Sequence, residues 1–392
     1  MKLSCMQKRT WAEIDLDALE YNYKLLRSVT PKSSKMCCTV KADAYGHGSV
    51  RVARLYETIG ADFLAVSNVK EALILREASI GLPILILGYT HPSCAQLLAK
   101  HRISQCVYSY DYGKALAEAA IEAGIRLHIH VKLDVGMGRI GFVIHDNDDT
   151  VIEDILEICR KDCFVTEGIF AHFPMAGEGS GDKDVTLGQY RMFCGAADKL
   201  EAKGIRFEIK HCSNSAAAIK HPELSLDMVR YGIALYGALP SDDITDIGLK
   251  NTLSLKSIVS NIKKVRKGDT ISYGSEYVAQ RDITVATLPI GYDDGFKREN
   301  YTNGSLICVN GALCPITGRV CMDQTMIDVS HVENIRLGDV AVIYGSGSSV
   351  DILEFSKKNK KIPYETMCEV SARVPRVYMK NKEIESIRDS FV

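Results

Sequence analysis

The sequence predicts an α/β chain: an N-terminal (β/α)8 barrel of the TIM type, followed by a C-terminal, mostly β domain. Three observations carry this reading. Eight short apolar runs alternate with helix-forming stretches from about residue 36 to about residue 240. Beyond about residue 245, β-branched runs separated by Asn-Gly and Gly-Asp pairs take over. The length of 392 residues exceeds one ordinary domain of about 100–200 but fits a barrel of about 250 plus one more unit.

In chain order, A-L-E-Y-N-Y-K-L-L-R (18–27) reads as a leading helix. The apolar runs are Met36–Val40, Phe63–Val66, Pro83–Leu87, Gln105–Tyr108, Leu127–Leu133, Val165–Phe173, Arg206–Lys210 and Met228–Leu235. Between them, V-K-E-A-L-I-L-R-E-A (69–78) and K-A-L-A-E-A-A-I-E-A (114–123) are rich in Ala, Leu and Glu, with apolar positions three and four apart. Continuously apolar strands alternating with helices imply a parallel sheet buried on both faces. Eight such units imply a closed barrel. The boundary falls at 243/244, giving 1–243 to the barrel and 244–392 to the β domain. There, Asn-Gly and Gly-Asp pairs between β-branched runs are hairpin signals. Short helices are expected near Val350–Phe355 and Tyr364–Ser371.

Charge excludes several classes. Lys+Arg total 48 against 49 Asp+Glu, a net −1. That argues against a nucleic-acid binder working by bulk charge and against a polybasic membrane anchor. Hydrophobic content of 46% and charged content of 25% are those of a globular protein. No apolar run approaches the roughly 18 residues of a membrane helix. The first ten residues lack the apolar core of a secretory signal. Thirteen cysteines with no C-x-x-C pair read as buried thiols in a cytoplasmic protein.

Function in such a barrel sits at the C-terminal ends of the strands. Lys41 ends the first strand, in V-K-A-D-A-Y-G-H-G. Lys132 ends the fifth, followed by Arg139. His172 ends the sixth, and the seventh leads into H-C-S-N-S-A-A with His211, Asn214 and Ser215. Arg230 and Gly232 lie on the eighth. So many cations on one rim call for an anionic ligand. Ser215, Gly232 and Ile233 occupy the usual phosphate position of the fold. A lysine among cations at a barrel mouth has the lowered pKa of a Schiff-base nucleophile.

These residues resemble the alanine racemase family, the barrel-type pyridoxal-phosphate enzymes. The similarity covers T-W-A-E-I-D-L-D-A-L (10–19), V-K-A-D-A-Y-G-H-G (40–48), K-L-D-V-G-M-G-R-I-G-F (132–142), S-N-S-A-A (213–217) and M-V-R-Y-G-I (228–233). In the second domain it covers I-S-Y-G (271–274), P-I-G-Y-D-D-G (289–295), G-R-V-C-M-D-Q (318–324) and R-V-P-R (373–376). All stand in the family's order. The resemblance implies a cytoplasmic homodimer that binds pyridoxal 5'-phosphate and interconverts L- and D-alanine, supplying D-alanine for peptidoglycan.

It also implies roles. Lys41 matches the lysine that bonds the cofactor and exchanges the α-proton on one face. Tyr273 matches the base of the other face, delivered by the partner subunit. Arg230 matches the arginine opposite the pyridine nitrogen, where a cation weakens the ring as an electron sink. His172 matches a residue bridging toward Arg230 and the tyrosine. Tyr45, Ser215, Gly232 and Ile233 match phosphate contacts. Arg139 matches the arginine at the substrate carboxylate. Lys132 matches a lysine carbamylated in many members. Met322 and Asp323 match partner-subunit residues near the substrate.

Three departures stand out. Ala372 replaces a tyrosine that walls the pocket, which implies room for serine. P-M-A-G-E follows His172 where A-T-A-D is common. Asp293 replaces an alanine in G-Y-D-D-G. Two rival classes remain open on the residues alone. One is a barrel metallohydrolase using His128, His130, carbamylated Lys132 and His172; Arg230 weighs against it by repelling a divalent metal. The other is a non-catalytic pyridoxal-phosphate carrier; the β domain with Tyr273 and Met322–Asp323 weighs against that. The run K-K-N-K-K (357–361) reads as a solvated face.

Overall fold

The computed structural model describes residues 9–145, 149–179, 181–241, 243–345 and 349–389. Cys5 and the rest of the N-terminal stretch tested for a signal segment lie outside the described residues, apart from Arg9 and Thr10.

The chain enters on strand β1 (Thr10–Asp15), and Asp15 then caps a helix over Leu16–Val29 by accepting the Ala18 N–H at 2.8 Å. The barrel strands follow: β2 (Lys35–Thr39), β3 (Phe63–Val66), β4 (Ile84–Ile86), β5 (Ile103–Val107) and β6 (Leu127–Asp134), the last joined at its end by the two-residue β7 (Phe142–Val143). They are completed by β8 (Phe164–Phe170), β9 (Ile209–His211) and β10 (Met228–Tyr231). Parallel pairing runs β10-β2-β3-β4-β5-β6-β8-β9. Two backbone bonds nearly close the ring between β9 and β10: Asp227 N–H to the Lys210 carbonyl and Arg230 N–H to the Ser213 carbonyl, both 3.0 Å. The eight-stranded barrel expected from the alternating runs is thus present. Its strands read as continuous apolar runs because both faces are covered; all of Phe63–Val66 is buried. Cys37, Phe63, Ala65, Leu85, Ile209 and Met228 form an inner cluster separate from the core shared with the helices. Some of the helices carry polar caps, such as Asn68 accepting the Glu71 N–H at 3.1 Å.

The second domain is mostly strand. Its main sheet orders Ala312–Pro315, Leu306–Val309, Val340–Tyr344, Leu253–Ile258, β1, Arg376–Lys380 and Glu383–Arg388. Although β1 falls within the span 1–243, it pairs antiparallel with Leu253–Ile258 and parallel with Arg376–Lys380. The first strand of the chain is therefore a central strand of the second sheet, which clamps the two units together. A three-stranded sheet joins Asn261–Val265, Ile283–Leu288 and Thr325–Asp328. The two expected helices form, over Ile352–Lys358 and Pro363–Cys368. Of the 357–361 run, Asn359 is buried and bonds the Phe355 carbonyl at 2.8 Å, so this stretch is only partly a solvated face.

Among the described residues, no helix is long and apolar enough to cross a membrane, and every cysteine is unpaired.

Candidate active site

The loop after β2 sets the first candidate group. Lys41 is followed by Ala42, Asp43, Ala44 and Tyr45 at φ of 52°, 54°, 55° and 52°, a left-handed turn made without glycine. Each such residue costs about 1–2 kcal/mol, so the turn needs outside support. Glu71 accepts the Ala42 N–H and Asp43 accepts the Ser49 N–H, both at 2.8 Å. The second domain packs directly on the turn's exit. A Cβ on Gly46 would lie 2.3 Å from the Met367 carbonyl oxygen, and one on Gly48 would lie 1.9 Å from the Tyr378 hydroxyl. The glycines of A-Y-G-H-G thus admit the neighbouring domain.

The loop after β6 presents Arg139. Asp134 accepts the backbone N–H groups of Gly136, Met137, Gly138 and Arg139 at 2.8–3.1 Å. Burial pushes its carboxyl up, but these four bonds prevail and hold it below the usual range. This cage is the physical content of D-V-G-M-G-R.

Arg230 lies on β10, buried. Its Nη1 donates to His211 Nδ1 at 2.8 Å and to the His211 carbonyl at 3.1 Å. Its Nη2 donates to the carbonyls of Ala171 at 2.7 Å and Cys212 at 3.0 Å, and lies 3.5 Å from His172 Nδ1. The Phe170 ring takes both Arg230, at 5.3 Å, and the Lys132 Nζ, at 5.0 Å. After β9, Asn214 caps the helix Ser215–Lys220, and the Ser215 hydroxyl accepts the Gly232 N–H at 2.9 Å.

These elements close on a cavity of about 530 Å³ at the C-terminal mouth of the barrel. Lys41, Tyr45, Lys132, Arg139, His172, Ser215, Arg230, Gly232 and Ile233 all line it. Four of them are cationic residues, and no Asp or Glu is among the described lining residues. The charges act on one another. Burial, then Arg139 and Arg230, push the Lys41 amine down. Burial, then Arg230 and Arg139, bring Lys132 down to about 8. Burial, then Arg230, hold His172 well below its ordinary value and therefore neutral.

Three expected residues lie elsewhere. Tyr273 is 70% exposed, at the start of a turn (Tyr273–Ser275), and Met322 is 51% exposed. Asp323 accepts a 2.9 Å bond from Arg373. None of the three lines the cavity of its own chain. Asp293 pairs with the same Arg373, which also lies 3.3 Å from Asp294, so the unusual carboxylate belongs to an ion cluster. Ala372 is exposed and does not line the cavity.

Tyr364 does line it, the one described lining residue from the second domain, with its ring 5.8 Å from that of Tyr45. No periodicity marks it, because it reaches the barrel mouth only through domain packing. The ligand set of the metallohydrolase reading is not brought together. His128 is exposed and His130 is buried, both toward Glu167, whereas His172 is beside Arg230. Among the described residues, no group of three His, Cys, Asp or Glu is arranged to hold a metal.

Known proteins match the whole of this arrangement. Residues 14–240 match the alanine racemase N-terminal domain and residues 252–378 the alanine racemase C-terminal domain. The alanine racemase of Clostridium tetani is 41% identical over 383 residues, 97% of each chain. That of Methanococcus maripaludis is 42% identical over 373 residues, 94% of this chain and 98% of its own. The solved alanine racemase of Clostridium difficile 630 superimposes with a TM-score of 0.93 at 39% identity, covering 98% of this chain and 99% of that one. The barrel, the β domain and the full-length similarity together make this chain a member of the alanine racemase family.

Proposed function

We propose that the chain racemizes alanine with pyridoxal 5'-phosphate, using Lys41 and the Tyr273 of a partner subunit as bases on opposite faces of the α-carbon. The observation that carries this is the cavity of four cationic residues without a described carboxylate, open at the barrel mouth. Such a site calls for anions, and a phosphate plus an amino-acid carboxylate supply them. The residues fit. Ser215 and the backbone at Gly232 and Ile233 form a cradle in which a Cβ on Gly232 would lie 2.7 Å from the Tyr45 hydroxyl, so only glycine leaves that space. When bound, the cofactor supplies an electron sink that acidifies the α-proton of the attached amino acid.

The chain's own groups do the rest. Ser215, Tyr45, Gly232 and Ile233 would hold the phosphate. Lys41, its amine pKa lowered, would bond the cofactor and take or return the proton at the α-carbon. Arg139 would hold the substrate carboxylate. Arg230 would keep a positive charge near the cofactor's ring nitrogen, which limits side reactions. Lys132, near neutrality at about 8, is available for carbamylation, which would turn a cation into an anion beside Arg139. The exposure of Tyr273 and Met322 supports a homodimer in which each completes the other's site. Unpaired thiols and the family support a cytoplasmic enzyme providing D-alanine for peptidoglycan. The room for serine that Ala372 implies finds no support at the cavity, because Ala372 is exposed outside its described lining while Tyr364 supplies a phenol there.

The test is optical. The protein incubated with pyridoxal phosphate is expected to show a protein-bound visible band, and Lys41→Ala to lack it while still folding. A wild-type protein that stays colourless and loses activity to a chelator would defeat the reading.

A further inference from the structure

Among the described residues, Arg230 is a buried cation without a carboxylate partner. Its hydrogen bonds to described residues end on carbonyls and imidazoles. The chain of bonds does not stop there. His211 Nε2 lies 2.9 Å from His130 Nδ1, and His130 Nε2 lies 3.0 Å from Glu167 Oε2. Glu167 also accepts from the Ser104 hydroxyl. It lines a second cavity of about 670 Å³ with His128 and Arg126, away from the mouth cavity. The relay therefore runs through the barrel interior from the site toward its opposite end.

Donor chemistry fixes its direction. A guanidinium only donates, so His211 Nδ1 accepts from Arg230. The proton of a neutral His211 is then on Nε2 and is donated to His130 Nδ1. His130 in turn carries its proton on Nε2 and donates it to Glu167. Burial, and next the charge of Arg230, hold His211 well below its ordinary pKa, consistent with a neutral ring. Burial raises the Glu167 carboxyl, but the hydrogen bonds from His130 and Ser104, with His128 nearby, lower it overall, consistent with a carboxylate.

The backbone is built around this path. Ile129 pairs with Thr166 and His130 with Gly168, so Glu167 is the extra residue of a bulge in β8. A bulge re-aims a side chain. A Cβ on Gly168 would lie 2.3 Å from His130 Nδ1, so this glycine makes the slot for the ring. Phe170 stacks on His211, with centroids 4.8 Å apart and planes 6° apart.

We propose that Glu167 and His130 are positioning residues of the site. They fix His211 as its Nε2-protonated tautomer, and His211 then holds the guanidinium of Arg230 in register. The proposal rests on the reading of Arg230 as the group opposite the cofactor's ring nitrogen.

The experiment uses full-length protein labelled with 15N-histidine, first without added cofactor and then with pyridoxal phosphate. In the wild type, His130 and His211 are expected to be neutral with Nε2 protonated. Glu167→Gln is expected to shift the His211 resonances, although residue 167 does not touch His211. In the loaded enzyme it is expected to displace the visible band and lower kcat about tenfold, with KM within about twofold. Should Glu167→Gln fail to fold, His130→Asn, too short to bridge to Glu167, reads the same His211 resonances. Nδ1-protonated His211 in the wild type would overturn the proposal, as would His211 resonances unmoved in the folded variant. A protein that never binds pyridoxal phosphate but shows the coupled shift would overturn the cofactor reading and leave the relay standing.

Discussion

Arg388 Nη1 donates to both carboxylate oxygens of Asp43, at 2.8 and 2.7 Å, so the last described strand of the second domain grips the turn that follows Lys41. The pair is 345 residues apart in sequence. Arg376 adds a bond from Nε to the Gly46 carbonyl at 2.9 Å. The four left-handed residues thus borrow their stability from a different domain.

Arg388→Met should therefore lower kcat by about tenfold or more, because a small misplacement of a reacting group is costly. Its effect on stability should stay under about 1 kcal/mol, since both side chains are partly exposed. Arg51→Met is the control. It breaks the pair between Arg51 and Glu385 at 2.6 Å, which links the same strand to the helix beyond the turn. Thermal denaturation and steady-state kinetics on both variants separate the cases. Equal kcat losses would mean general loosening, with no specific support of Lys41 by Arg388.

The barrel was legible because its strands are buried on both faces and so are apolar without interruption. The rim residues stood out because they are polar groups at the ends of otherwise apolar strands, and the barrel brings them to one cavity. What sequence could not supply are pairings between distant positions. Strand β1, T-W-A-E-I-D, carries no sign that its partners are Leu253–Ile258 and Arg376–Lys380. Asp293 acquires a meaning only beside Arg373, 80 residues away. His130 reads locally as barrel packing, and only a bulge in β8, invisible in T-E-G-I-F, brings Glu167 to it.

The shared-site reading predicts complementation. Lys41→Ala and Tyr273→Ala should each be inactive as homodimers. Mixed after dissociation, half the dimers would be hybrids with one intact site, so activity should recover to about a quarter of wild type. Dissociation, reassociation and assay of the mixture would show it. No recovery in a mixture proven to contain hybrids would place both bases in one chain. A second readout is directional. Tyr273→Ala should depress α-proton exchange on its own face far more than exchange through Lys41, and equal loss from both enantiomers would count against two bases.

Lys132 should leave a mark on the pH dependence of stability. Burial, then Arg230 and Arg139, bring its amine from 10.5 to about 8 in the folded chain. Between those values the unfolded chain binds more protons than the folded one. Stability contributed at this position therefore rises with pH from about 8 to about 10.5, by at most about 1.4 kcal/mol per pH unit. Denaturant unfolding in carbon-dioxide-free buffer should show this rise in the wild type and a flatter curve in Lys132→Met. Added 13C-bicarbonate should produce a carbamate carbon signal in the wild type only and carry the onset of the rise to lower pH, because the carbamate draws off the deprotonated amine of the folded chain. The same signal in Lys132→Met would assign the carbamate to another amine.

Tyr364, rather than Ala372, should bear on which amino acid fits. The second domain contributes Tyr364 to the described wall of the cavity, while Ala372 stands exposed just before Arg373. Arg373 is tied to Asp293 and Asp323 and lies 3.3 Å from Asp294, so residue 372 adjoins an ion cluster and not the described cavity wall. The phenol of Tyr364 should compete for space with a substrate hydroxymethyl group more than with a methyl group. A pocket distinguishes groups of that size by about 1–3 kcal/mol. Tyr364→Ala should therefore raise kcat/KM for L-serine relative to L-alanine by about tenfold or more, and Ala372→Tyr should leave that ratio within about twofold. Both constants are needed from all three proteins, because a general loss of activity would lower them together. An unchanged ratio in an active, folded Tyr364→Ala would remove Tyr364 as a determinant of substrate choice, and a ratio lowered tenfold in Ala372→Tyr would restore position 372 to that role.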